Sequence, residues 1–197
     1  MKEESVLRVR GRHTCRVAAA AAAVLVWGVS VAPGAGAVAA SAAISAGSLS
    51  FPSSPSAVSF SATLNGTDQT VSASQTFDVS DATGSGTGWN ITATSTTFTT
   101  GGGSPHLLST SATTVTSAPT VACATNVTCN VATNAITYPF VLPAGTSAPT
   151  AQKLYNASAN TGMGNQTVTA SLNLAIPANT YSGTYSSTWT YSLASAP

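Results

Sequence analysis

Apolar and hydroxyl residues alternate along most of this chain, and the alternation locates its strands. Near the C-terminus Tyr185, Trp189, Tyr191 and Leu193 occupy odd positions, with Ser and Thr at the even positions between them. Period two is the mark of a strand with one buried and one wet face. Just upstream, Val168, Ala170, Leu172, Leu174 and Ile176 alternate in the same way. Pro177-Ala178-Asn179 then predicts a hairpin turn, with Tyr181 opening the last strand. Earlier, Val58, Phe60, Ala62 and Leu64 alternate up to Asn65-Gly66, an Asn-Gly hairpin signal, and the strand expected near 70–79 puts Val71, Phe77 and Val79 on one face. Trp89, Ile91 and Ala93 share a face of a strand running through Phe98, whose opposite parity predicts a bulge or bend near Ser95. Beyond the Gly101–Gly103 loop the apolar segments are short, and none has a helical period. The expected fold is all-β, an antiparallel sandwich of Ig-like or jelly-roll-like form. Its Thr-rich stretches show no fixed repeat, which argues against a solenoid.

The first residues break this pattern. Arg8, Arg10, Arg12 and Arg16 precede an uncharged Ala/Val/Leu stretch at 17–32, then Pro33-Gly34 and the small residues of 35–39. This order predicts a cleaved secretory signal over 1–39 and a single domain over 40–197. The apolar run falls short of the ~20 residues of a spanning helix, so no membrane span is expected after cleavage. Cleavage would remove Lys2 and the four arginines, leaving Lys153 against Asp68, Asp78 and Asp81, a formal charge of 1 − 3 = −2. No basic patch then remains for nucleic acid or anionic lipid.

The chemistry the mature residues offer is sparse. Cys123 and Cys129 are the only remaining cysteines, and in an exported chain they are expected to form a disulfide. Zinc would lack ligands, because His106 is the single mature histidine. Paired carboxylates for hydrolysis would have to come from the three aspartates, and a Ser-His-Asp relay from His106 on its glycine-rich loop. Neither arrangement has a supporting motif, so no catalytic residue, metal or cofactor is expected. The sequons at Asn65, Asn90, Asn126, Asn156 and Asn165 follow from the Ser/Thr content and are given no function.

Two stretches carry a family resemblance. Gly88-Trp89-Asn90-Ile91 before a Ser/Thr-rich strand, and Tyr185-x-x-x-Trp189-Thr190-Tyr191-x-Leu193 near the C-terminus, resemble the proximal Trp-x-Leu and distal Tyr-x-x-x-Leu-Thr-Trp-x-Leu motifs of the WxL family. Those are surface domains of Gram-positive bacteria. Ile91 stands for the proximal Leu, Trp189 for the distal Leu and Tyr191 for the distal Trp. The resemblance implies non-covalent attachment to the peptidoglycan-containing cell wall or an associated glycan, alongside other surface proteins. It also implies Trp89, Asn90, Ile91, Tyr185, Trp189, Tyr191 and Leu193 as binding residues. Two roles stay open for the aromatic rings, core packing and stacking on sugar. A different class also stays open, a coat or fimbria-like subunit that assembles by strand addition.

Overall fold

A computed structural model describes residues 39–197, and the leader expected over 1–39 lies, but for its last residue, outside them. Ten strands follow in chain order: β1 (Leu49–Ser50), β2 (Gln69–Asp81), β3 (Trp89–Thr96), β4 (Thr113–Val115), β5 (Thr120–Cys123), β6 (Phe140–Val141), β7 (Ala144–Gly145), β8 (Gln152–Ala157), β9 (Gly164–Ile176) and β10 (Trp189–Ser195). Among the described residues no helix is long and apolar enough to cross a membrane.

The two longest alternating runs form the spine of one sheet. β2 and β9 pair antiparallel along their full length, from Gln69 opposite Ile176 to Asp81 opposite Gly164. β1 lies beyond β2, while β5 and β4 share the other side of β9 and β6 extends past β4. The second sheet is built on β3, with β10 on one side and β8 and β7 on the other; only β7 runs parallel to it.

The expected sandwich is present, because each sheet turns an apolar face toward the other. Phe77 and Val79 of β2 and Val168 and Ala170 of β9 pack with Trp89, Ile91 and Ala93 of β3 and with Leu154 and Tyr155 of β8. In β2 burial deepens on the odd positions toward Asp81, the face that the alternation predicted. Outward-facing positions, even in β2 and odd in β9, carry polar groups that bond across the strands, as Ser72 does to Asn173 at 2.8 Å and Thr167 to Asp78 at 3.1 Å.

Irregularities fall where the side-chain parity demands them. Ser95 pairs with Trp189 and Thr99 with Ser186, so Thr96, Thr97 and Phe98 face only Ser187 and Thr188. That extra residue is the bulge expected near Ser95, and it turns Phe98 onto the face its sequence position had seemed to deny it. A second irregularity, between Ile91 and Thr92 against β8, leaves Leu154 as the extra residue; Leu154 and Tyr155 are consecutive yet both buried.

Two expected hairpins do not form. β9 and β10 lie in different sheets, and the last strand begins at Trp189 instead of Tyr181. Both edges of β9 are already occupied, one by β2 and the other by β4 and β5, while Pro177 cannot donate to a ladder. The chain therefore uses residues 177–188 to cross to the free side of β3. The run Val58–Leu64 is not a strand either. It packs across the opening between the sheets, with Phe60 near both Phe98 and Trp189, and so joins neither ladder. Its Asn65-Gly66 turn does form: the Asn65 side-chain oxygen accepts from the Thr67 N–H at 3.0 Å, and Gly66 takes φ +79°.

The Cys123–Cys129 disulfide is present, with a Cα–Cα distance of 5.6 Å. It ties the end of β5 to the following loop and does not span a hairpin. A loop this short contributes about 2 kcal/mol through chain entropy, comparable to one buried apolar side chain at about 1.5–3 kcal/mol. The core therefore holds the fold. Replacing both cysteines with alanine should lower stability by about 2 kcal/mol or less and leave the β circular-dichroism spectrum intact. Loss of the folded signal at room temperature would show that the bridge is essential.

Candidate functional site

The first motif is structural from end to end. Gly88 has φ +78°, and a Cβ there would sit 2.2 Å from the Ala157 carbonyl oxygen, so only glycine lets β3 start beside the end of β8. Trp89 is 0% exposed; its indole N–H donates to the Gly162 carbonyl at 3.0 Å and its ring lies 5.7 Å from that of Tyr155. Asn90 is buried and donates from Nδ2 to the Ala196 carbonyl at 2.6 Å, while the Ala196 N–H donates to Gly88. Ile91 is also 0% exposed. Trp89 and Ile91 thus have no surface to offer a ligand, because their face of β3 is closed by the opposite sheet. Their role is packing, and Asn90 fastens the C-terminal strand.

The second motif is the hydrogen-bonded neighbour of the first. Along β10, Ser195 faces Trp89, Leu193 faces Ile91, Tyr191 faces Ala93 and Trp189 faces Ser95. Opposed residues share a side of the sheet, so Trp189, Tyr191 and Leu193 point inward with the first motif. Their burial is only partial. Tyr191 reaches across the sandwich, its ring 4.8 Å from Phe77 in an edge-to-face arrangement and its hydroxyl 3.4 Å from the Gln75 side-chain oxygen. Trp189 contacts Phe98, Phe60 and Tyr191. Tyr185 joins a smaller cluster with Leu108, Ala112 and Leu174.

Because β10 is an outer strand, these half-buried rings open onto a groove. Its roof is the unpaired segment 55–64 and its floor runs from residue 181 to Tyr191. Two cavities, about 650 and 680 Å³, share Val58, Phe98 and Tyr185 as common walls. Sequence reasoning found Tyr185, Trp189 and Tyr191 but missed Phe98, Phe60 and Tyr181. Only the awkward parity of Phe98 had signalled it; nothing in the sequence places the 55–64 segment over β10.

The ionisable side chains are engaged with protein neighbours. Asp81 is buried and accepts from the Thr83 N–H and hydroxyl; Asp78 accepts from Ser53 and Thr167; Asp68 accepts from the Ala178 N–H. The His106 ring stacks on Tyr181, with centroids 3.8 Å apart. Among the described residues no group of three or more His, Cys, Asp or Glu side chains is placed to hold a metal.

The family model described as WxL domain, surface cell wall-binding, matches residues 38–197. No curated protein and no solved structure matches the chain.

Two outcomes check this anatomy. Gly162 has φ +83°, and an added Cβ would lie 2.5 Å from the Trp89 indole nitrogen. Gly162→Ala should therefore cost about 3 kcal/mol or more, from left-handed strain and overpacking, read as a lower urea midpoint. An unchanged midpoint would mean that Trp89 is not seated as described. Burial, and secondarily the Tyr138 hydroxyl, pushes Tyr155 up to about 12; burial also raises Tyr191 and, against an opposing hydrogen bond from Asn134, Tyr138. These phenols keep their protons in the folded state at pH values where the unfolded chain, near 10.0, has lost them. Stability should thus be fully present below pH 10 and fall as the pH rises toward 12. Urea midpoints across that range, with tyrosinate absorbance, measure it; a flat profile would contradict the burial.

Proposed function

The chain belongs to the WxL family, and on that premise we propose that it is an exported protein held non-covalently on the peptidoglycan-containing wall of a Gram-positive cell. The observation that carries this reading is the family match, which extends over residues 38–197, the whole described sandwich, and not over a fragment of it. Retention by such a domain needs no reaction. Affinity would come from hydroxyl and amide side chains with aromatic contact, and other surface proteins on the same wall are compatible partners. The engaged aspartates and the stacked His106 support a binding role over turnover.

A second reading is favoured by one feature. Among the described residues the outer edge of β10 has no strand partner, since β10 pairs with β3 alone. An unpaired edge is a template for strand addition, so a self-assembling surface subunit is the alternative.

Sedimentation with washed cell walls separates the two. The first reading expects a monomer that pellets with walls, is released by denaturant without protease, and has a mature mass starting near residue 40. Concentration-dependent polymers with no wall affinity would overturn it in favour of the second.

A further inference from the structure

We propose that the groove beside β10 is a binding site for a strand of uncharged sugars, an assignment that rests on the wall-binding reading and narrows it to a place and a ligand class. Each of its cavities falls within the range of about 300–1,000 Å³ common for small-molecule sites. They meet at Val58, Phe98 and Tyr185, so one extended ligand spans both. Each end adds ring surface, Phe60 and Tyr181 in one, Trp189 and Tyr191 in the other. Hydroxyls stand among the rings: Ser59, Ser61 and Thr184 at the first end, Ser186, Ser187 and Thr190 at the second. A pyranose presents C–H bonds on its faces and hydroxyls around its rim, which suits walls that mix flat apolar rings with hydrogen-bonding groups.

Charge fixes the class. No Asp, Lys or His lines either cavity. The three aspartates hold the neighbours already described, and the Lys153 ammonium donates to the Pro197 carbonyl at 2.7 Å. A phosphate or carboxylate drawn into this groove would be desolvated with no lysine or arginine on its walls to meet it, which is costly. A neutral sugar carries no such cost. Entry is not blocked by a ladder, because Val58–Ala62 makes no backbone–backbone hydrogen bond among the described residues.

Calorimetric titration of the full chain with cellohexaose and chitohexaose, beside a glycerol-phosphate oligomer, tests the assignment. At least one neutral hexasaccharide should bind and the phosphate oligomer should not. Tyr181 is 64% exposed and Thr184 is exposed, so Tyr181→Ala and Thr184→Arg should spare the fold. Each should weaken binding at least about tenfold, the equivalent of ~1.4 kcal/mol, while Thr76→Ala on the outer face of the other sheet leaves it unchanged. Silence from both neutral probes, equal binding of the phosphate oligomer, or variants that bind like the parent would overturn the groove assignment. Sedimentation separates the two levels: walls that still pellet the groove variants remove the groove and leave wall attachment standing, whereas walls that fail to pellet the parent chain remove attachment itself.

Discussion

The structure depends on the antiparallel pairing of β3 with β10. That pairing sets Leu193 beside Ile91 and Tyr191 beside Ala93 on one inward face, and this face is the half of the core that the β2–β9 sheet closes upon. Tyr191 then crosses to Phe77, which clamps the sheets together, and Asn90 holds the chain just past β10. The same pairing explains why the departures from the family pattern are tolerated. Trp189 for leucine and Tyr191 for tryptophan both keep a large apolar group on the buried side of the strand, and burial of area is what the position requires.

The face of each long strand was legible because its cause is local. Alternation of Val71, Phe77 and Val79, or of Val168 through Ile176, fixes which side turns inward whatever the strand pairs with. The misfit of Phe98 located a bulge for the same reason. Pairing was less legible. A turn signal such as Pro177-Ala178-Asn179 marks a change of direction, but whether the next strand returns alongside depends on whether an edge is vacant. Here β9 had none, since β2 and β4 with β5 fill both sides. The segment Val58–Leu64 failed for the complementary reason: it has the pattern of a strand but covers a gap between two sheets. That gap is a property of the assembled sandwich.

The candidate site was legible in the same measure. The motif residues divide by burial into a sealed group, Trp89 and Ile91, and a half-open group, Tyr185, Trp189 and Tyr191. Spacing alone places both on strands and does not distinguish them. The difference arises because β3 is flanked on both sides while β10 is an outer strand. One aromatic pattern is therefore sealed in the core where the strand is enclosed and open to a groove where the sheet stops.

The two indoles of the described residues report that division most directly. Trp89 is enclosed and bonded to Gly162, while Trp189 lines the groove. In an indole N–H spectrum of the folded chain titrated with soluble cell-wall fragments, the Trp189 resonance should shift while that of Trp89 stays fixed and exchanges slowly with solvent. A shifting or rapidly exchanging Trp89 beside an unmoved Trp189 would contradict the account.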